Sequence, residues 1–138
     1  MYFIEVNASS PYCSPLKNIL EVDSQPLKEA AEGVADDIME EYADGIVSIY
    51  LFGSVARGTP RIDSDIDILI VYKENRLGEE ERQRIVDSVR RQEDKLKIHI
   101  QLLWYSKEEW ERDLRRGISI NERIVEEGIR LEGEELGA

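Results

Sequence analysis

Two apolar runs joined by a short polar connection constrain this chain more than any other feature. Residues 46–52 read Ile-Val-Ser-Ile-Tyr-Leu-Phe and residues 65–72 read Asp-Ile-Asp-Ile-Leu-Ile-Val-Tyr, and β-branched and aromatic runs of this length predict strands. The ten residues Val55–Ser64 are short for a parallel crossover, so the strands are expected to be antiparallel neighbours. The glycine that ends the first strand, Gly53, then lies beside Asp65 and Asp67 at the start of the second. Without a Cβ, Gly53 lets the backbone turn sharply or approach a ligand. A short helical turn over residues 54–57 would aim free N–H groups at phosphate oxygens, and Arg57 adds a positive charge nearby. Strand side chains alternate, so Asp65 and Asp67 leave one face with Cβ atoms about 7 Å apart, two strand rises. One or two Mg²⁺ ions can bridge that span, and like charges so placed favour a cation between them.

Taken separately, an Asp-x-Asp at the wet start of a strand and a glycine in a turn are ordinary structural features. Together, the order strand, Gly-Ser, ten residues, Asp-x-Asp, strand resembles the signature of the DNA polymerase β-like nucleotidyltransferase superfamily. The matching residues are Gly53-Ser54-Val55-Ala56-Arg57-Gly58 and Ser64-Asp65-Ile66-Asp67-Ile68. The small size resembles the minimal nucleotidyltransferases often paired with HEPN-domain proteins. The resemblance implies transfer of a nucleoside monophosphate, with AMP from ATP expected, to a hydroxyl with release of pyrophosphate. It implies Gly53, Ser54 and Arg57 as nucleotide-binding residues, and Asp65 and Asp67 as catalytic ligands of Mg²⁺. It also implies a tyrosine of a HEPN toxin as the acceptor, which would make this chain an antitoxin.

The third predicted strand departs from that pattern. Ile98–Trp104 alternates Ile98, Ile100 and Leu102 with His99, Gln101 and Leu103, whereas the superfamily usually places a third carboxylate on this strand. Gln101 has no protonation accessible at neutral pH and cannot serve as a base. His99, of a residue type with a reference pKa near 6.5, can. Glu93 and Asp94, near the preceding helix end, are weaker substitutes. The departure keeps open a competing reading, a catalytically silent module of this fold that binds nucleotide or masks a partner protein.

The remaining elements predict an α/β fold, a small mixed β-sheet with flanking helices. Leu27, Ala31, Val34, Ile38 and Tyr42 recur at helical spacing, and Ile85, Val86 and Val89 form a narrow stripe on a charged helix over residues 79–95. Ser106 with Glu109, and Ser119 with Glu122, have capping-box spacing and predict two further helices, the second ending at Gly128. Ile129 and Leu131 suggest a short last strand. Tyr50, Phe52 and Tyr72 suit either stacking on a base or the core, and the core is the commoner use of strand aromatics.

At 138 residues the chain fits one nucleotidyltransferase domain, with residues 1–23 read as an N-terminal extension that opens on a strand-like segment, Tyr2–Val6. Thirty acidic against eighteen basic side chains give a formal net charge of −12, which argues against general nucleic-acid binding but is compatible with Mg²⁺-bound nucleotide. The one cysteine, Cys13, excludes an intrachain disulfide. No apolar run reaches the ~18 residues of a membrane span, and the N-terminus lacks signal-peptide character, so a cytoplasmic location is expected.

Overall fold

The computed structural model describes residues 23–61 and 64–137; of the segment read as an N-terminal extension only Asp23 is among them, and its strand-like stretch and Cys13 lie outside. Helix α1 (Ser24–Tyr42) begins where the Asp23 side chain accepts a hydrogen bond from the Gln25 N–H at 3.0 Å. Its Ala31, Val34, Ala35 and Ile38 are buried, the spacing that carries one helical face onto a sheet. A 3₁₀ turn over Ala43–Gly45 leads into β1 (Ile46–Phe52), followed by the short helix α2 (Gly53–Arg57) and β2 (Ile66–Tyr72). Next come α3 (Glu79–Leu96), β3 (Ile100–Ser106), α4 (Lys107–Arg115), α5 (Ser119–Glu127) and β4 (Ile129–Gly133).

The strands form a mixed sheet in the order β3-β2-β1-β4. As the short linker predicts, β1 and β2 are antiparallel, with Phe52 opposite Asp67. The α3 crossover sets β3 parallel to β2, with Gln101 opposite Asp67, and β4 closes the other edge antiparallel to β1. Ile66, Ile68, Ile70 and Tyr72 of β2 join the core under α1 and α3, whereas Leu69 and Val71 join the cluster containing Trp110 of α4 and Ile124 of α5. Ile68, Leu69 and Ile70 are fully buried, each contributing about 1.5 to 3 kcal/mol. A one-residue slip would exchange the two faces of β2 and put Asp67 where isoleucine now packs. Core burial thus pins the aspartates at one end of the sheet.

The β1–β2 pairing shifts between Ile46 and Ser48. The buried Ser48 hydroxyl donates to the Glu134 carbonyl at 2.6 Å, so this irregularity leaves no unsatisfied hydroxyl. Tyr50 and Tyr72 are core residues, and the Tyr50 hydroxyl accepts the Leu136 N–H at 2.9 Å. Glu80 and Arg84, one helical turn apart on α3, form a surface pair at 3.8 Å.

Two expectations need correction. The third strand starts at Ile100 rather than Ile98, because Lys97 ends α3 in the left-handed region at φ 60° and the next residues are used in the turn. Ser119 caps nothing: it is the first residue of α5, whose N-cap is Ile118 without a side-chain bond. The Ser106 box does form. Its hydroxyl accepts the Glu109 N–H at 3.1 Å while Glu109 accepts the Ser106 N–H at 2.9 Å. Ser106→Ala is therefore expected to lower unfolding free energy by about 1 kcal/mol, read as a lower urea midpoint at unchanged m-value.

Candidate active site

Everything in the sequence pattern meets where β1 ends. Gly53 has φ 78°, and a Cβ at this position would overlap the Asp67 carboxylate at Oδ2. The absence of a side chain is thus what admits Asp67 beside the first turn of α2. Phe52, the N-cap of α2, has no side-chain acceptor for that turn, so no cap of its own covers the free N–H groups. Gly58 ends α2 in the left-handed region, its N–H bonded to the Val55 carbonyl at 3.1 Å. The linker is then tied back on itself: the Ser54 hydroxyl donates to Ser64 Oγ at 3.3 Å, and Ser64 Oγ accepts the Arg61 N–H at 2.6 Å.

Asp65 stands one residue before β2 and Asp67 one residue inside it, both half-buried. Partial burial, and then the charge of Asp65, push the Asp67 carboxyl above the usual carboxylate range, against the opposing pull of Arg57 and His99. Burial disfavours the charged form of a carboxyl, and a like charge close by adds to the effect. Arg57 is exposed and pairs with Glu127 of α5 at 3.7 Å, so it serves this end of the sheet as a shared surface cation.

Gln101 occupies the register position opposite Asp67, and its amide Nε2 donates to Asp65 Oδ2 at 3.1 Å. Sequence reasoning set this residue aside because it cannot be a base, and so missed that it can hold an aspartate. Glu93 was undervalued too. Its carboxylate accepts the Ile100 N–H at 2.7 Å and an Arg90 guanidinium N–H at 3.1 Å, and its Oε2 lies 3.1 Å from His99 Nδ1 as a charge contact. Burial alone would raise Glu93, but the hydrogen bonds from Ile100 and Arg90 and the charges of Arg90 and His99 outweigh it and hold the carboxyl below its ordinary value. The only local signal was an acidic residue in the last turn of a helix, where the dipole disfavours it. Asp94 is exposed at the same helix end. Among the described residues no group of three or more His, Cys, Asp or Glu could hold a metal ion; the aspartates are a pair. With His99, Arg90, Val86, Leu102 and Trp104, Gln101 also lines a groove of about 310 Å³ between α3 and β3.

The family description "nucleotidyltransferase domain" matches residues 32–128, a span that takes in α2, both aspartates and Gln101. No curated protein matches the chain. Among solved structures, one assigned as a minimal nucleotidyltransferase is 26% identical, covering 78% of this chain and 95% of its own at a TM-score of 0.51. A toxin-antitoxin structure with AMP-PNP is 23% identical, covering 75% of this chain and 74% of its own at 0.50. A mutant of the MntA-HpeT toxin-antitoxin is 21% identical with the same coverage and TM-score. No helix among the described residues is long and apolar enough to cross a membrane.

Proposed function

The chain belongs to the nucleotidyltransferase domain family, and from that premise we propose that it transfers a nucleoside monophosphate, AMP from ATP in the first instance, to a hydroxyl group. The observation that carries this reading is the fit of the Asp67 carboxylate into the space that Gly53 leaves open at the start of α2. It supports a phosphate site and a cation site side by side. In this reading the backbone at Gly53 and Ser54 holds terminal phosphate oxygens, and Arg57 adds charge toward them.

Two half-buried carboxylates, with Asp67 held above its ordinary range by burial and by Asp65, make a donor set suited to Mg²⁺, which keeps water and substrate phosphates as its other ligands. Bound by Asp65 and Asp67, it would supply charge neutralisation at the α-phosphate and the leaving pyrophosphate. The Gln101 amide holds Asp65 at 3.1 Å and so orients one of the two ligands.

The acceptor is proposed to be a tyrosine of a HEPN-domain partner, with this chain as its antitoxin. That step rests on the sequence resemblance to minimal nucleotidyltransferases, the group to which the 26% identical structure is assigned. The acidic surface, with a formal net charge of −12, suits a protein partner with a basic face.

Titration calorimetry is expected to show ATP binding in the presence of Mg²⁺ and much weaker binding without it. Absence of binding at millimolar ATP with Mg²⁺ would sink the proposal. The absence of a carboxylate on the third strand, where the resemblance implies one, favours a second reading, in which the fold masks its partner without modifying it. Mass spectrometry of a co-expressed partner separates the two. An unmodified partner, inhibited equally by wild type and by Asp65→Asn, would establish masking.

A further inference from the structure

The position that faces Asp67 from β3 holds Gln101, an amide that cannot take a proton. A hydroxyl attacking phosphorus must lose one. Glu93 accepts the Ile100 N–H and an Arg90 N–H and lies 3.1 Å from His99 Nδ1, and its side chain is only 13% exposed, so it is poorly placed to take a proton from an incoming substrate.

His99 differs in every respect. It is the single histidine of the chain. Its backbone carbonyl accepts the Ile66 N–H at 2.9 Å, which fastens it to the residue between the two aspartates. Its side chain is 58% exposed and lines the groove beside Gln101. A carboxylate oxygen 3.1 Å from Nδ1 repels a lone pair there, which favours the neutral tautomer with its proton on Nδ1. Nε2 is left with its lone pair open.

We propose that His99, oriented by Glu93, takes the proton of the acceptor hydroxyl in place of the absent third carboxylate. The inference rests on the nucleotidyl-transfer reading. In the step, the acceptor oxygen forms a bond to the α-phosphorus as its proton passes to His99 Nε2. The bond from that phosphorus to the oxygen bridging to the β-phosphate breaks, and pyrophosphate leaves with the electron pair. Glu93 stabilises the imidazolium formed, which then returns its proton to solvent. His99 is the catalytic base and Glu93 a positioning residue.

The test measures pyrophosphate release from ATP with Mg²⁺ by the full chain, with water as acceptor when no other hydroxyl is supplied. His99→Ala is expected to slow release by about 10²-fold with ATP affinity by calorimetry unchanged, and Glu93→Gln by about tenfold. Because one histidine is present, ¹⁵N NMR reads a single imidazole. It is expected in the Nδ1–H tautomer in wild type, moving toward the Nε2–H form in Glu93→Ala. A His99→Ala protein that works at the wild-type rate, or a neutral wild-type imidazole protonated at Nε2, would overturn the assignment. If wild type releases no more pyrophosphate than Asp65→Asn, the transferase reading itself fails and takes this inference with it.

Discussion

Asp67→Asn is expected to abolish nucleotidyl transfer and, in metal-free protein at neutral pH, to raise the melting temperature. The two effects have one cause. Asp67 is half-buried beside Gly53 and feels the charge of Asp65, and both influences push its carboxyl above the ordinary range. A carboxyl raised in the folded state binds more protons folded than unfolded between its two pKa values. Stability therefore falls as pH rises through that window and stays lower above it. Asparagine removes the ionised group that carries this cost, so the melting advantage of the variant is expected at pH 7 and should vanish as pH drops below the ordinary carboxylate value and wild-type Asp67 is protonated as well. Transfer, in contrast, needs the charge. Loss of a cation ligand removes stabilisation that acts on the transferring phosphoryl group, and a fall of about 10³-fold or more is expected. Asp65→Asn should abolish transfer in the same way. Melting curves of metal-free proteins across pH, run beside a transfer assay, check both halves. A variant that melts well below wild type would mean that the carboxylates are structural and would remove the cation-site reading.

Gly53→Ala is expected to be the most damaging single methyl in the chain for function. The backbone there is left-handed at φ 78°, which costs a residue with a Cβ about 1 to 2 kcal/mol, and the new methyl would overlap Asp67 Oδ2. Either the carboxylate moves or the first turn of α2 does, and both parts of the proposed site lose their register. ATP binding with Mg²⁺ is expected to become undetectable by calorimetry. Gly58→Ala is the control. Gly58 has the same φ of 78°, yet a Cβ there meets nothing within 4 Å. It should share the stability loss while retaining ATP binding. Equal binding losses in the two variants would mean that backbone strain, and not the meeting of Gly53 with Asp67, governs the site.

Much of this architecture was legible because it is local. Burial alternating along a strand and recurring along a helix is a property of neighbouring residues, so β1, β2 and the buried face of α1 follow from the order of apolar side chains. A ten-residue linker allows the first two strands few arrangements, and antiparallel pairing brings Gly53 to the aspartates. The Ser106–Glu109 box could be read because both bonds lie within four residues.

Contacts between distant elements could not be read that way. The start of β3 depends on Lys97 adopting a left-handed cap, a choice made by the packing of α3 and not by the alternation of residues 98–104. The same holds for Ser119. Its spacing to Glu122 is right, but the turn through Gly117 at φ 69° starts the helix with Ile118 as its cap. The parallel placement of β3 joins residues 36 apart when Gln101 binds Asp65, and it sets His99 against the backbone between the aspartates. Composition and spacing determined that this chain builds an α/β sheet carrying a glycine and two carboxylates at one end. Tertiary structure decided which amide holds an aspartate and which carboxylate holds the histidine, because those partners are chosen by strand register and by the seating of a helix on the sheet, and neither is a property of any single segment.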